Sequence, residues 1–231
     1  MPGRVHAEIR SSVGWVTFDH PERRNAISAH MWGELAEAVT RFGADDSVRV
    51  VVMRGAGHEA FVSGADISQF DGADGTETSQ QLDAGGGQAF DVLSRLEKPL
   101  IAMIQGFCIG GGLAIALSAD LRYAATGSSF GIPAARLGVG YGLGGIESLA
   151  AVVGPSHAKE ILYTARRYDA AEALAMGLTV EEADAIVGRP MGIPKTGIFG
   201  LMDLTGIDLA PHVMTSMEAL LPADDAFREL D

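Results

Sequence analysis

The sequence has little cysteine and few basic residues, and both shortages exclude classes of protein. Cys108 is the only cysteine among 231 residues, so an internal disulfide and a cysteine-rich zinc site are excluded. Against 30 Asp and Glu stand only 17 Lys and Arg, which gives a net charge of −13 and argues against nucleic acid as a partner. The opening residues, MPGRVHAEIR, lack the apolar core of a signal peptide, and we therefore expect a cytoplasmic protein.

One uncharged run, Leu100 to Ala119, has the length of a membrane span. Three consecutive glycines, Gly110 to Gly112, interrupt it, and Asp120 follows it. Its aliphatic start and its alanine-rich end instead predict a buried strand, a turn and a buried helix. We expect no membrane association.

Strand-like and helix-like patterns alternate along the first three quarters of the chain and predict an α/β fold. Alternation in VHAEI and WVTFD predicts two strands around Gly14, and Ser28 can cap a helix that runs to about Phe42. Residues 71–87 are rich in Gly, Asp, Thr and Gln, and we expect a mobile loop there.

Helices dominate the later pattern. We expect one helix over about 146–153, a second capped by Ser156, and a third capped by Asp169 with Glu172 as its capping-box partner. Beyond Leu178 the composition changes, so the predicted domains are residues 1–178 and a short helical tail, 179–231.

A dinucleotide motif fails on its context. Gly140, Gly142 and Gly145 match G-x-G-x-x-G, but no predicted strand leads directly into them. The residue about twenty positions further on, Glu160, lies in a predicted helix rather than at a strand end. We therefore expect no NAD site, and the scattered histidines predict no metal site.

Two glycine-flanked segments carry the chemical signal: residues 61–67, FVSGADI, and residues 105–113, QGFCIGGGL. Each segment can present a free backbone N–H, and the second opens a helix, whose N-terminus attracts negative charge. Two such donors that converge on one point form an oxyanion hole.

Together these segments resemble the enoyl-CoA hydratase/isomerase superfamily, the crotonase fold, over about residues 5–178. The resemblance implies a spiral of β-β-α turns that binds acyl-coenzyme A, in a homotrimer or hexamer active in fatty acid β-oxidation. The motifs that carry it are PERRNAIS (21–28), SGADI (63–67), KPLIAMIQGFCIGGGLAIALSADLRYA (98–124), FGIPAARLGVGYGLGG (130–145) and AKEILYTARRYDAAEALAMGL (158–178).

The resemblance also implies the site. The N–H groups of Ala65 and Gly111 correspond to the donors that hold the thioester oxygen, and no cofactor is implied beyond the coenzyme A thioester itself. The further positions that the resemblance assigns to acyl-CoA binding are Arg24 and Ala26, at the nucleotide end, and Asp66, Ile67, Gly110, Ala114, Ala134 and Gly142.

This chain differs from the hydratases of the family at the positions that transfer protons. Hydratases activate water with two glutamates, and alanines, Ala114 and Ala134, occupy the matching positions. Some members place an acid later, where this chain has Gly142. General acid–base catalysis contributes roughly 10²–10⁴-fold, so we expect weak hydratase activity or none.

Tyr141 is the candidate to replace the acids. The stretch ARLGVGYGLGGIESL resembles methylmalonyl-CoA decarboxylases of the same superfamily, which carry a tyrosine at this position but a histidine where this chain has Ala65. Decarboxylation needs no base, because loss of carbon dioxide yields the enolate directly. Glu147, the nearest carboxylate in sequence, is the other residue that could replace the acids, although its place in the predicted helix favours a capping or solvent-facing role. Asp120 is expected to end a helix. A non-catalytic acyl-CoA binder or scaffold is the third hypothesis.

The tail, residues 179–231, departs from the crotonase pattern altogether. The stretch EEADAIVGRPMGIPKTGIFGLMDLTGIDLAPHV resembles part of the C-terminal domain of 3-hydroxyacyl-CoA dehydrogenases. Nothing in the chain matches the nucleotide-binding half of that family, so we carry over no dehydrogenase activity.

Overall fold

The computed structural model describes residues 2–66 and 75–178, with the backbone alone described for 75–84. The strands among these residues are β1 (Arg4–Arg10), β2 (Val13–Asp19), β3 (Val50–Gly55), β4 (Ala60–Val62), β5 (Leu100–Ile104), β6 (Phe107–Ile109), β7 (Leu121–Ala124), β8 (Ser129–Gly131) and β9 (Tyr168–Asp169). The α-helices are α1 (Ala29–Ala44), α2 (Gly75–Ser94), α3 (Gly111–Leu117), α4 (Ala134–Leu137), α5 (Leu143–Thr164) and α6 (Ala170–Ala175).

The strands form two sheets. The five-stranded sheet has the order β1-β2-β3-β5-β7 and is parallel except for the β1-β2 hairpin. The four-stranded sheet has the order β4-β6-β8-β9 and is parallel except for β9.

The chain winds as a spiral of β-β-α units. In β3-β4-α2, β5-β6-α3 and β7-β8-α4 the first strand joins the larger sheet and the second joins the smaller one. The predicted α/β spiral of crotonase type is therefore confirmed, whereas the predicted helical tail lies outside the described residues. Because β4 and β6 are parallel neighbours, the loops that follow them leave the same edge of the smaller sheet.

The core joins α1 and both sheets. Leu35, Val39 and Phe42 are buried along one face of α1, as the sequence pattern predicts. Phe18 of β2 and Phe61 of β4 meet edge to face, with ring centroids 5.6 Å apart, and this pair packs one sheet against the other. No helix in the described part of the chain combines the length and apolarity that crossing a bilayer needs.

The first hairpin turns two residues earlier than the sequence suggests. Ser11 and Ser12 form the turn with φ of 47° and 63°, the left-handed pair that a two-residue type I′ hairpin needs. Gly14 instead lies within β2, where a Cβ would stand 2.8 Å from Cδ2 of Phe42. This glycine serves the close packing of α1 on the sheet.

The predicted loop over 71–87 is wrong from Gly75 onwards, because α2 begins there. Packing against α1 outweighs the low helix propensity of the glycines. A Cβ on Gly85 would lie 3.3 Å from Cβ of Trp32, and the rings of Trp32 and Phe90 have centroids 5.3 Å apart. The glycines let the two helices approach closely.

Helix α5 combines the two helices that the sequence predicts near 146–164. It is interrupted at Gly154, whose φ of 75° and ψ of 162° are not helical, and Pro155 starts the second segment. Ser156 therefore lies inside that segment, and its predicted capping role is wrong. The capping box of α6 is confirmed: the Glu172 N–H donates to Oδ1 of Asp169 at 2.8 Å.

We expect Gly112→Ala to destabilise the fold strongly. A Cβ at Gly112 would stand 2.0 Å from the carbonyl oxygen of Val62, so α3 must move off β4, at a cost of about 2 kcal/mol or more. The matched control is Gly144→Ala, also at the second position of a helix, where a Cβ meets nothing within 4 Å. Urea unfolding measures both; equal stability of the Gly112 variant and the wild type would contradict the packing described.

Candidate active site

The loop after β4 is held by the segment between β2 and α1. Three backbone hydrogen bonds join them: Ser63 N–H to the Arg24 carbonyl at 3.2 Å, Ile27 N–H to the Gly64 carbonyl at 2.8 Å, and Asp66 N–H to the Ile27 carbonyl at 2.9 Å. Gly64 has a φ of 113°, a backbone conformation that glycine adopts readily and that other residues rarely adopt. The loop is therefore fixed by main-chain contacts on one side.

The N–H of Ala65 takes no part in the hydrogen bonds between these two segments. In the parallel bridge between Ile27 and Ala65, the bonds to Ile27 come from the two residues that flank Ala65. Ala65 itself is exposed, and its N–H donates to no atom of the described residues. It points away from Ile27.

The second donor stands at the start of α3. Gly110 turns the chain out of β6 with a φ of 55°, and its own N–H donates to the Gly131 carbonyl at 2.8 Å. Gly111 is the first residue of α3, where an N–H has no partner within the helix. The N–H of Gly111 donates to no other described residue.

The two free donors lie side by side. A Cβ built on Gly111 would stand 3.7 Å from the Ala65 nitrogen and 3.9 Å from the Gly64 carbonyl carbon. The close packing of Gly112 on Val62 holds α3 at this distance from the β4 loop. The N–H groups of Ala65 and Gly111 therefore occupy neighbouring positions on the loop after β4 and at the start of α3.

Arg24 and Asn25 shape the segment that holds the loop. Both have a left-handed backbone, with φ of 52° and 56°. The buried Asn25 amide donates to the carbonyls of Ala56 at 3.0 Å and Ala60 at 2.7 Å. Sequence reasoning missed this role of Asn25, although the residue lies inside the PERRNAIS motif and asparagine tolerates a left-handed backbone.

Four further residues near these segments in sequence were expected to bind the substrate: Arg24, Ala26, Asp66 and Ile67. The Arg24 guanidinium is exposed, donates to the Glu59 carboxylate at 2.6 Å and lies over the Phe107 ring. Ala26 and Asp66 are buried. Ile67 lies outside the described residues.

Alanines stand at the two positions where hydratases carry glutamates. Ala114 lies in the first turn of α3, Ala134 opens α4, and both are half-buried. Gly142 is exposed at the start of α5, and Glu147 is exposed within that helix. Asp120 accepts a hydrogen bond from the Leu100 N–H at 2.7 Å, in keeping with its expected structural role.

Tyr141 is the polar side chain that turns inward here. Its ring packs against the core, and its hydroxyl is buried without a hydrogen-bond partner among the described residues. Burial raises the pKa of Tyr141 to about 12. The phenol is therefore protonated at neutral pH and can only donate to, or accept from, a group that reaches it.

Sequence reasoning also missed the packing role of Gly145, which leaves space for the ring of Tyr141. A Cβ on Gly145 would stand 2.6 Å from Cε1 of Tyr141.

The described residues contain no group of three His, Cys, Asp or Glu able to hold a metal ion.

The chain matches two family models. The enoyl-CoA hydratase/isomerase model matches residues 8–186, and the model of the 3-hydroxyacyl-CoA dehydrogenase C-terminal domain matches residues 162–230. Both resemblances seen in the sequence are thereby confirmed.

Curated relatives carry hydratase and dehydratase names. The short-chain-enoyl-CoA hydratase of Clostridium acetobutylicum is 37% identical over 174 residues, which are 75% of this chain and 66% of that protein. The carnitinyl-CoA dehydratase of Proteus mirabilis is 36% identical over 178 residues, 77% of this chain and 67% of that protein. The chain thus matches about two thirds of the length of these relatives.

Solved structures share the fold. An enoyl-CoA hydratase/carnithine racemase from Magnetospirillum magneticum superposes with a TM-score of 0.73 at 32% identity, covering 97% of this chain and 85% of that chain. An enoyl-CoA hydratase from Bacillus anthracis gives a TM-score of 0.73 at 27% identity, covering 94% of this chain and 88% of that chain. With the family match and the curated relatives, this shared fold shows that the chain belongs to the enoyl-CoA hydratase/isomerase family.

Proposed function

We propose that the chain processes acyl-coenzyme A thioesters by holding the thioester oxygen between the N–H groups of Ala65 and Gly111. The observation that carries the proposal is the pair of unused donors next to each other. Such donors bind the oxygen more strongly as it gains negative charge, and they therefore stabilise an enolate relative to the thioester.

The other positions expected to contact the substrate complete the proposed site. Exposed Arg24 and buried Ala26 would lie toward the nucleotide end of coenzyme A. The positions proposed to line the acyl end are Asp66, Ile67, Gly110, Ala114, Ala134, Tyr141 and Gly142. A role in fatty acid β-oxidation, a cytoplasmic location and assembly as a trimer or hexamer are proposals from family membership.

We do not expect the chain to hydrate enoyl thioesters efficiently. Addition of water needs one group to take a proton from water and one to deliver a proton to the α-carbon. Ala114 and Ala134 can do neither, and Glu147 is exposed on α5. The proposed site therefore has donors for the thioester oxygen, whereas alanines stand at both positions where hydratases carry their proton-transferring glutamates.

Decarboxylation is the second candidate function, and the buried hydroxyl of Tyr141 is the observation that favours it. A carboxylate on the α-carbon leaves as carbon dioxide, the electrons of the broken C–C bond form the enolate, and the enolate then takes one proton. Tyr141 would orient the leaving carboxylate by one hydrogen bond. No base is needed.

A comparison of butyryl-CoA with its thioether analogue, S-butyl-CoA, tests the oxyanion hole. We expect the thioester to bind about 5- to 150-fold more tightly, since two hydrogen bonds contribute about 1–3 kcal/mol. Isothermal titration calorimetry measures both ligands.

A Gly111→Pro variant supplies the control for that comparison. Proline fits the first position of a helix but has no N–H, so we expect the preference for the thioester to fall while the unfolding temperature stays close to that of the wild type. Equal binding of the two ligands to the wild type would refute the proposed site.

Hydratase turnover with crotonyl-CoA should lie at least 10²-fold below that of the Clostridium acetobutylicum relative assayed beside it. The double variant Ala114→Glu/Ala134→Glu should raise the rate, because it restores two carboxyl groups. Loss of the absorbance of the conjugated thioester follows the reaction. Wild-type turnover equal to that of the relative would show that another group moves the protons.

Decarboxylation is tested with malonyl-CoA and methylmalonyl-CoA, with mass analysis of the products. If the second candidate is correct, the wild type releases acetyl-CoA or propionyl-CoA, and Tyr141→Phe slows the release at least tenfold. Unchanged release by the variant would remove Tyr141 from that mechanism. Binding without any product would instead support a non-catalytic acyl-CoA binder.

A further inference from the structure

The buried side chain of Asn25 joins three separate stretches of backbone. Its oxygen accepts a hydrogen bond at 2.9 Å from the N–H of His20, just after β2. Its amide nitrogen donates to the carbonyl of Ala56, after β3, at 3.0 Å and to that of Ala60, the first residue of β4, at 2.7 Å. Both amide hydrogens are therefore used in links between distant parts of the chain.

These links exceed what the turn at Asn25 requires. The residue has a φ of 56°, and glycine would adopt this backbone conformation at a lower steric cost. Asn25 is nevertheless 1% exposed, with its carboxamide fully enclosed. Gly55 leaves space for it, because a Cβ there would stand 2.7 Å from the Asn25 amide nitrogen. The surroundings of the carboxamide thus indicate a role beyond shaping the turn.

The link to Ala60 ties Asn25 to the strand that leads into the β4 loop. Ala60 opens β4, and the loop that follows the strand carries the N–H of Ala65. Arg24, the residue before Asn25, holds the same loop through its carbonyl, which accepts from the Ser63 N–H at 3.2 Å. The segment around Asn25 is therefore joined to β4 at the beginning of the strand and again just beyond its end.

Ile27, two residues after Asn25, completes the attachment. Its carbonyl accepts from the Asp66 N–H, and its N–H donates to the Gly64 carbonyl. The Gly64 carbonyl and the Ala65 N–H belong to one planar trans peptide and point in opposite directions. The position of Ile27 therefore sets the direction of the Ala65 N–H, and a shift of this segment relative to β4 would turn the donor.

We propose that Asn25 is a positioning residue for the oxyanion hole: its two donated hydrogen bonds fix the segment that holds the Gly64–Ala65 peptide and thereby direct the Ala65 N–H toward the thioester oxygen. The inference rests on the proposed function, since it needs that oxygen bound at Ala65 and Gly111. Asn25 acts through Ile27 and touches no substrate in this role. A misplacement of about 1 Å can lower a rate roughly 10²-fold.

Two variants remove the donated hydrogen bonds in different ways. Asn25→Gly keeps the left-handed backbone without the side chain, and Asn25→Asp keeps the acceptor for the His20 N–H but has no amide hydrogens to donate. Calorimetry measures butyryl-CoA and S-butyl-CoA on each variant. We expect both variants to lose about threefold or more of the thioester preference, whereas their affinity for S-butyl-CoA should change less than about twofold. A general loss of structure would weaken both ligands alike.

Lys98→Met is the matched control. The Lys98 ammonium also donates to two backbone carbonyls, those of Phe42 and Asp45, but at the C-terminal end of α1, about 20 Å from its start. We expect this variant to unfold at a lower temperature than the wild type, as the Asn25 variants do, and to keep the wild-type thioester preference. An equal loss of preference in Lys98→Met would attribute the effect to destabilisation and overturn the inference.

Hydrogen exchange of the ligand-free wild type supplies a measurement that needs no variant. If the Asn25 carboxamide holds the segment, its hydrogens and the N–H groups of Ile27 and Asp66 should exchange through one opening, with the same opening free energy. Ile27 and Asp66 hydrogens that exchange through a more frequent opening, while the carboxamide stays protected, would show that the bridge opens independently of Asn25. That result would overturn the inference.

Failure of this inference and failure of the proposed function give different results. Equal binding of butyryl-CoA and S-butyl-CoA by the wild type would refute the proposed oxyanion hole, and the inference with it. A wild-type preference that persists in either Asn25 variant would refute the positioning role alone. A preference that falls in both Asn25 variants and is kept in Lys98→Met would support both proposals.

Discussion

The parallel bridge between Ile27 and Ala65 is the contact on which the rest of the site depends. Its two hydrogen bonds use the Gly64 carbonyl and the Asp66 N–H, so the N–H of Ala65 is turned to the opposite side. There it meets the start of α3, which the close approach of Gly112 to Val62 holds in place. The spiral of β-β-α units supplies this geometry by setting β4 and β6 side by side as parallel neighbours.

The sequence predicts the individual segments and helix caps better than the packing contacts that bring distant segments together. The glycine triplet and the SGADI segment mark both donors, because glycine is the residue that leaves backbone N–H groups accessible. The cap at Ser28 and the box at Asp169 follow from local rules and are confirmed. Local rules fail where distant packing decides, as at α2, which stays helical through its glycines because Trp32 lies against them.

The role of Tyr141 shows a different limit. Sequence places an aromatic residue among glycines, but it does not tell whether the hydroxyl faces solvent or the interior. Only the fold brings the ring against Gly145, where the hydroxyl is buried without a partner in the described part of the chain. The site that we propose has two donors for a thioester oxygen and alanines at the two glutamate positions, a combination better suited to stabilising an enolate than to adding water.

Isotope-edited infrared spectroscopy of butyryl-CoA carrying ¹³C at the thioester carbonyl reports whether Ala65 and Gly111 hold the thioester oxygen. Hydrogen bonds from Ala65 and Gly111 would withdraw electron density from the C=O bond and lower its stretching frequency. We therefore expect a lower frequency in the complex than in water, and a smaller decrease in Gly111→Pro. A bound carbonyl that absorbs at the frequency found in water, or above it, would show that the two N–H groups do not hold the thioester oxygen.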